Sequence, residues 1–446
     1  MNQLAVICDD LTGAMEAGLQ LFKKGFPAYV IILTRVLGHA HFEGLRQNSA
    51  AAFIIDTESR NVSRDEAASR IQAAWRGIAQ AGFRLVYKKV DSTLRGNLGR
   101  EMEVILQQAE FEMMVFVPAL PFNGRTTKKG YHYLGGSKLT ESDLAKDPFA
   151  PIHDSYIPNV LTQQTSVPTV VVSLEEIRKG ADFLESWFRE LHFRGCQIAI
   201  VDAETEDDLR IISAALAKSS LRLLPCGSAG LFAKMTLPAA QNVAILSTSS
   251  RHQANGSSRA VLIISGSPAK VTKQQIQNGA KHDLPVIRLA PHMLIKSFWT
   301  RKEVDAVIQK AVSYLKRGES VIIDGAGEGK EEITAQYGKS RRRLQKDSQR
   351  IQNQLSRVFK KVVTGTEIAG VMVIGGDTLN RVCQKMQAKA IRITNEVEAF
   401  IPAGEMMLKQ NQIIPIVSKA GGFGSEDIIM KVIQYFSSQT EARKEM

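Results

Sequence analysis

Leu4-Ala5-Val6-Ile7-Cys8-Asp9-Asp10-Leu11-Thr12-Gly13-Ala14 is the stretch on which the fold turns. Five apolar residues in a row, without alternation, read as a strand buried on both faces of a parallel sheet. Two carboxylates follow at once, and a helical pattern begins near Thr12. Strand, polar turn and helix together form the repeating unit of α/β architecture. The unit recurs along the chain, with strand candidates at Ala28–Leu33, Ala52–Ile55, Leu85–Val90, Met113–Val117, Thr169–Val172 and Ile198–Val201. After a gap come Ala260–Ile264, Val286–Leu289, Ser320–Asp324, Val371–Ile374, Ile391–Ile393 and Ile413–Val417. Helical segments such as Arg64–Ala81, Leu174–Leu191, Thr205–Lys218, Ala269–Gly279 and Arg301–Arg317 lie between them. The expected fold is α/β in two domains, each with a mainly parallel β-sheet flanked by helices.

The gap marks the boundary. Residues 246–259, LSTSSRHQANGSSR, are Ser-rich and lack any apolar period, as a linker does. They divide the 446 residues into domains at 1–245 and 260–446, each large enough for its own core. A second irregular region, Pro118 to Pro168, is rich in proline and glycine and is expected to be a long functional loop. Composition is that of an ordinary globular chain, 44% hydrophobic and 23% charged, with no apolar run of membrane-spanning length. The N-terminus carries no basic and apolar leader, so a cytoplasmic protein is expected. Four cysteines without C-x-x-C spacing argue against a zinc site or a disulfide framework. The net charge of +12 allows a nucleic acid, an anionic small molecule or a solvated basic surface.

Charged groups gather where strands end, which is where open α/β sheets bind ligands. Asp9 and Asp10 follow the first strand; they suit a sugar hydroxyl, a general base or Mg²⁺, or they merely cap the helix. Asp56-Thr57-Glu58-Ser59-Arg60 follows another, with a capping box at Ser63 and Glu66 behind it. Arg60 there is either a fork for an anion or half of a surface ion pair. Tyr87-Lys88-Lys89-Val90-Asp91-Ser92-Thr93-Leu94-Arg95-Gly96-Asn97 runs a strand into two lysines, an aspartate, two hydroxyls and an arginine, a set that suits a sugar acid. Pro118 to Thr127 could fix the orientation of Arg125 through its prolines and Gly124.

In the second domain Ser265-Gly266-Ser267, Gly375-Gly376-Asp377-Thr378 and Gly421-Gly422-Phe423-Gly424-Ser425 each stand between a strand and a helix. Backbone N–H groups at such turns bind phosphate, and glycine lets it approach closely. Other chemistries lack their signatures. Asp324 to Glu331 fails P-loop spacing, and there is no G-x-G-x-x-G, H-E-x-x-H or G-x-S-x-G. The eight histidines show no metal-ligand spacing, although His132 and His153 lie in the long loop.

On these motifs the chain resembles the four-carbon acid sugar kinase family. DDLTGA at Asp9–Ala14, DTESR at Asp56–Arg60, KKVDSTLRGN at Lys88–Asn97 and GRTT at Gly124–Thr127 occur in the family's order. SGS at Ser265–Ser267, GGDT at Gly375–Thr378 and GGFGSED at Gly421–Asp427 complete it. The resemblance implies an ATP-dependent kinase of a tetronate, with a sugar-acid-binding N-terminal domain and an ATP-binding C-terminal domain. It implies Asp9, Arg60, Lys88, Lys89, Asp91, Ser92, Thr93, Leu94 and Arg95 for the sugar acid, with Arg125 added from the loop. It implies Ser265, Ser267, Gly375, Gly376, Asp377, Thr378, Gly421 and Gly422 for ATP. Cys8, Glu16, Asp377 and Pro402-Ala403-Gly404 depart from the family's usual residues and bear on substrate identity.

The expected reaction is transfer from ATP to D-threonate, giving D-threonate 4-phosphate; erythronate, L-threonate and the 2-oxo or 3-oxo tetronates are alternatives. Arg60 and Lys89 are expected to hold the substrate carboxylate, with Arg95 as the alternative holder. Asp9 or Asp10 takes the hydroxyl proton, and Asp377 or Asp91 assists Mg²⁺. Arg60, Lys88, Lys89, Arg95 and Arg125 would account for part of the +12, and Lys339–Arg343 for solvated surface. The expected partner is a small-molecule sugar acid, with no nucleic acid and no membrane, and a homodimer is left open. Two readings of other classes compete. A nucleic-acid binder would need aromatics within the Lys339–Arg343 cluster, which has none. An NAD-dependent dehydrogenase would need the dinucleotide fingerprint.

Overall fold

A computed structural model describes residues 3–32, 51–142, 145, 152–237, 260–289, 293, 299–325, 341–409 and 412–444, the side chains of 341–347 and 441–444 excepted. The chain divides into two compact units, Met1–Ala244 and Ile245–Met446. The expected linker at 246–259 lies outside the described residues, as do Leu33, Lys339 and Ser340.

The N-terminal unit is built on β1 (Leu4–Cys8), β2 (Ala28–Ile32), β3 (Ala52–Asp56), β4 (Arg84–Lys89) and β5 (Met113–Val117). A small antiparallel sheet follows, β6 (Arg125–Lys128), β7 (Tyr131–Leu134) and β8 (Ser137–Lys138). The main sheet resumes with β9 (Thr169–Val172), β10 (Ile198–Val201) and β11 (Leu223–Gly227). Its order is β2-β3-β1-β4-β11-β5-β10-β9, and every pair is parallel. Val6, Ile7, Ile54, Ile55, Val115 and Phe116 are fully buried. Each such side chain contributes about 1.5–3 kcal/mol by leaving water. That is why the central strands are apolar without a break.

The order places β1 between β3 and β4. The chain runs from β1 outward to β2, returns to β3 beside β1, and then starts β4 on the other side. In open α/β sheets such a reversal of strand order is where ligands bind, beyond the carboxyl ends of the strands. Asp9-Asp10, Asp56–Arg60 and Lys88–Arg95 leave those three adjacent strands at the same edge.

In the C-terminal unit β12 (Val261–Ser265), β13 (Val286–Arg288), β14 (Val321–Asp324), β15 (Gly370–Ile374) and β18 (Ile413–Lys419) are parallel, in the order β13-β14-β12-β15-β18. β17 (Ile401–Met407) and β16 (Ala390–Glu398) extend the sheet antiparallel from β18. The turns after β12, β15 and β18, the three glycine-bearing ones, are therefore neighbours.

Sequence periodicity and structure part company at four places. Leu223–Gly227 is a central strand between β4 and β5 that the pattern misses, because Pro225 sits inside it. The proline has no N–H to give a ladder; toward β4 only Cys226 and Gly227 are paired. Leu174–Leu191 is not one helix but two, Leu174–Ile177 and Ala181–Phe193, broken at Gly180, whose φ of 102° lies outside the helical region. The expected loop from Pro118 to Pro168 contains the small sheet and the helix Ile157–Thr162. Ile391–Ile393 lies near the start of a nine-residue strand, and Ile401–Met407 is an additional one that its Pro-Ala-Gly composition hides.

Candidate active site

Cys8 ends β1, and the helix Leu11–Lys23 begins three residues later. Asp10 is its N-cap: Oδ1 accepts from Gly13 N at 3.0 Å and Oδ2 from Thr12 Oγ1 at 2.5 Å. The turn is tight enough that a Cβ on Gly13 would stand 2.6 Å from Asp10 Oδ1 and 3.0 Å from Lys89 Nζ. Glycine is the residue that fits.

Arg60 reaches across from the loop after β3. Its Nε donates to Asp9 Oδ2 at 2.8 Å, and its Nη2 to Asp9 Oδ1 at 2.9 Å and Asp10 Oδ1 at 2.6 Å. Nη1 lies 3.9 Å from Asp91 Oδ1. Burial alone would disfavour the guanidinium charge, but Asp10, Asp9 and Asp91 outweigh it and raise the group well above its usual range. The loop is fixed by Asn97, which donates to the carbonyls of Ser59 at 2.8 Å and Val62 at 3.1 Å.

The loop after β4 is pinned from within. Asp91 accepts from Arg95 Nε at 2.6 Å, from Arg95 Nη2 at 3.0 Å, and from the Thr93 hydroxyl. Burial opposes the Asp91 charge, yet Arg95 and then Arg60 hold its carboxyl well below the usual range. Leu94 takes a left-handed φ of 61° and Gly96 one of 100°, which folds the loop back over Arg60. A left-handed leucine costs of order 1–3 kcal/mol and persists where neighbours over-determine it.

The lysines divide. Lys88 is wholly buried, with Nζ 2.6 Å from Glu101 Oε2 on the helix Leu98–Gln108. Lys89 points to the other side and lies 3.3 Å from Glu16 Oε2 on the first helix. Burial lowers Lys89, but Glu16 and then Asp10 outweigh it and keep it charged. Burial also pushes the Glu16 carboxyl up. Asp10 goes the other way: burial raises it, and Arg60 with Lys89 more than reverse that. Arg125 begins β6, where burial lowers it and Asp91 and Glu16 pull it up, so it belongs to the same cluster.

Of the residues expected at the site, strand order brings Asp9, Asp10, Arg60, Lys89, Asp91 and Arg95 together, and Arg125 reaches the cluster from the small sheet. Lys88 belongs to the core with Glu101. Ser92 supplies its carbonyl to His132 Nε2 at 2.9 Å, and Thr93 and Leu94 shape the loop. His132 is buried between that carbonyl and Thr127, and burial pushes it down to about 4, which leaves a neutral imidazole in a structural position. His153 is exposed. Glu101 was missed in the sequence. Its one available signal was an acid in the first turn of an amphipathic helix, which a capping preference explains equally well.

In the C-terminal unit the three glycine turns converge. Gly266 N donates to Ile374 O at 3.3 Å and Gly375 N to Lys419 O at 3.0 Å. A Cβ on Gly266 would overlap Thr378 Oγ1 and Gln352, and one on Gly421 would overlap Ser267 Oγ. Gly375 has a φ of 104° and opens the helix Gly376–Met386, which carries Asp377 in its first turn. Gln352 accepts from Thr378 Oγ1 at 2.8 Å, and Thr272 Oγ1 donates to Gly421 O at 2.8 Å. Ser265, Ser267 and Thr378 are buried there, whereas Gly422 is open. Hydroxyls gathered at tight glycine turns before a helix N-terminus are the groups from which an anion cradle is built. Gln352, Thr272 and Lys419 were not singled out in the sequence, because none lies in a recognisable motif. Side chains of the basic cluster at Arg341–Arg343 lie outside the described residues.

Among the described residues no group of three or more His, Cys, Asp or Glu could hold a metal ion by itself, and no helix is long and apolar enough to cross a membrane.

Two family models match the chain, one in each unit. A model described as a sugar-binding N-terminal domain matches residues 4–235, and one described as a nucleotide-binding C-terminal domain matches residues 262–429. A D-threonate kinase of Salmonella typhimurium is 30% identical, over 97% of this chain and 98% of its own. A D-erythronate kinase of Heliobacterium modesticaldum is 25% identical, over 98% of this chain and 97% of its own. A solved chain from Salmonella typhimurium LT2 shares the fold, with a TM-score of 0.74 at 22% identity, over 97% of this chain and 99% of that one.

Proposed function

The chain belongs to the four-carbon acid sugar kinase family, and from that premise we propose that it phosphorylates D-threonate with ATP to give D-threonate 4-phosphate. The observation that carries the site assignment is the uneven exposure of its cations. Arg95 has a side chain 31% exposed, against 11% for Arg60, 4% for Lys89 and 0% for Lys88. Arg60 already donates to three carboxylate oxygens. The substrate carboxylate therefore goes to Arg95 and Arg125, with Lys89 beside them, and Arg60 serves to orient the two aspartates.

Asp10, 16% exposed against 1% for Asp9, is the acceptor for the hydroxyl proton. The 4-hydroxyl is primary, the least hindered nucleophile of a tetronate and the farthest from its carboxylate. Its oxygen forms a bond to the γ-phosphorus, the bond to the β–γ bridging oxygen breaks, the proton passes to Asp10, and ADP leaves. Catalysis here is mostly positioning and charge neutralisation.

Phosphates of ATP are assigned to the cradle of Ser265, Ser267, Gly375, Gly376, Thr378, Gly421 and Gly422. Its oxygen donors fit Mg²⁺: Asp377 is exposed in the first helical turn, and Asp324 ends β14 in register with Ser265. One or two carboxylates suffice when phosphates supply the rest of the shell. Asp377 would hold the ion, which would neutralise charge on the β- and γ-phosphates.

D-Threonate is preferred because the relative at 30% identity is a D-threonate kinase. An ATP-consumption screen over D- and L-threonate, D- and L-erythronate and the oxo-tetronates tests it, with ³¹P-coupled NMR of the product to locate the ester. D-Threonate is expected to give the highest kcat/KM and a 4-phosphate. A higher kcat/KM for another tetronate would move the substrate, and no turnover with any would end the reading.

A further inference from the structure

Lys419 closes β18 and is 1% exposed. Its Nζ donates to Ala420 O at 3.1 Å, with Gly421 O and Thr272 Oγ1 each at 3.4 Å. All three partners are neutral. Among the described residues no carboxylate lies within ion-pair distance of it. This is unlike the buried lysines of the other unit, which face Glu101 and Glu16. Burying an ammonium without an opposite charge is costly, and proteins rarely leave one so.

The location shows what charge is missing. Thr272 Oγ1 donates to Gly421 O and lies 3.4 Å from Ser267 Oγ, so Nζ sits one hydroxyl away from the glycine cradle, beneath the Gly421 turn. The cradle offers N–H groups and hydroxyls but no charge of its own in the turns after β12 and β18. A lysine is a common point charge for phosphate. We propose that the Lys419 ammonium is the counter-charge for a nucleotide phosphate seated among Gly266, Gly375 and Gly421. This rests on reading the C-terminal unit as the nucleotide site. Burial, which pushes Lys419 down to about 7, fits a group that becomes fully charged only when an anion arrives.

The test is Lys419→Met in the full chain, with ADP, ATP and adenosine as calorimetric probes and the melting temperature recorded without ligand. ADP and ATP affinity should fall roughly 10- to 100-fold, the range spanned by hydrogen bonds to charged groups. Adenosine, which lacks phosphate, should bind as it does to the wild type. The ligand-free variant should melt no lower than the wild type, since a desolvated cation has given way to an apolar chain of similar volume. Lys419→Arg, which keeps the charge, should retain more ADP affinity than Lys419→Met. A Met variant that binds ADP as the wild type does overturns the inference and leaves the nucleotide reading intact. A Met variant that unfolds while the Arg variant folds also overturns it, because the ammonium would then serve the fold. A wild-type chain that binds neither ADP nor ATP sinks the nucleotide reading itself, and this inference with it.

Discussion

At the strand ends of the N-terminal unit, Arg60, Lys88, Lys89, Arg95 and Arg125 stand among Asp9, Asp10, Glu16, Asp91 and Glu101. At the strand ends of the C-terminal unit, glycines, hydroxyls and one buried lysine take their place, with the carboxylates of Asp324 and Asp377 nearby in the chain fold. The first arrangement is largely preassembled: Arg60, Lys88, Lys89 and Arg95 each face a carboxylate before any ligand arrives, so their geometry is fixed in advance, while at Arg125 and Glu16 burial still outweighs the neighbouring charges. The second keeps backbone donors and an uncompensated cation ready for charge that the ligand brings. A small sugar acid has one carboxylate and must be oriented by hydrogen bonds, whereas a polyphosphate carries enough charge to organise its own site. Five cations against five carboxylates also mean that the N-terminal site does not explain the net +12, contrary to the expectation from sequence.

The comparison breaks most visibly at Asp10. Asp10→Asn should lower kcat by ~10²–10⁴-fold with a much smaller change in KM for the sugar acid, as loss of a general base does. A steady-state assay that found kcat nearly unchanged would give the proton to another group. Next comes the paired core. Glu101→Ala leaves Lys88 charged and buried, and chemical denaturation should register a loss of about 3–5 kcal/mol. The double variant Lys88→Met/Glu101→Leu should recover most of it. No such stability loss is expected at Lys419, which has no partner of opposite charge to leave behind among the described residues.

His132 sharpens the contrast through pH. Its proton is excluded in the fold down to about 4, while an unfolded histidine binds one near 6.5. Its contribution to stability is therefore full above about 6.5 and is lost as pH falls toward about 4, by roughly 3 kcal/mol. Denaturation curves of His132→Gln should show a shallower acid slope than the wild type; parallel slopes would assign the acid sensitivity to the carboxylates. The smallest effect is expected at Gly421→Ala. A methyl there overlaps Ser267 Oγ and forces the cradle open. The KM for ATP should rise by about tenfold, the worth of one hydrogen bond to a charged group, with the dissociation constant of the sugar acid unmoved. A change in sugar-acid binding instead would mean that the two sites do not divide as proposed.

Much of this was legible in the residues themselves. Unbroken Val/Ile runs followed by helices specify parallel strands buried on both faces, because only such strands need apolar residues at successive positions. The polar groups had to lie at strand ends, since a buried strand has no other place for them. The glycine turns were visible for the same steric reason that the structure displays at Gly266 and Gly421. Leu223–Gly227 was not legible: Pro225 contradicts the local preference for a central strand, and pairing with β5 along all five residues overrides it, with only Cys226 and Gly227 paired to β4.

What only the tertiary structure decided was how each charge is used. Arg60 is 51 residues from Asp9, and Lys88 meets Glu101 across two separate elements. No period or motif encodes those pairings; they follow from β1 lying between β3 and β4 and from which side of β4 each lysine faces. Sequence placed the cations at one sheet edge because a buried strand must end before it can carry them. Which of them is left to hold a substrate depends on desolvation and on the carboxylate each one meets, and those are settled only when strand order brings distant loops together.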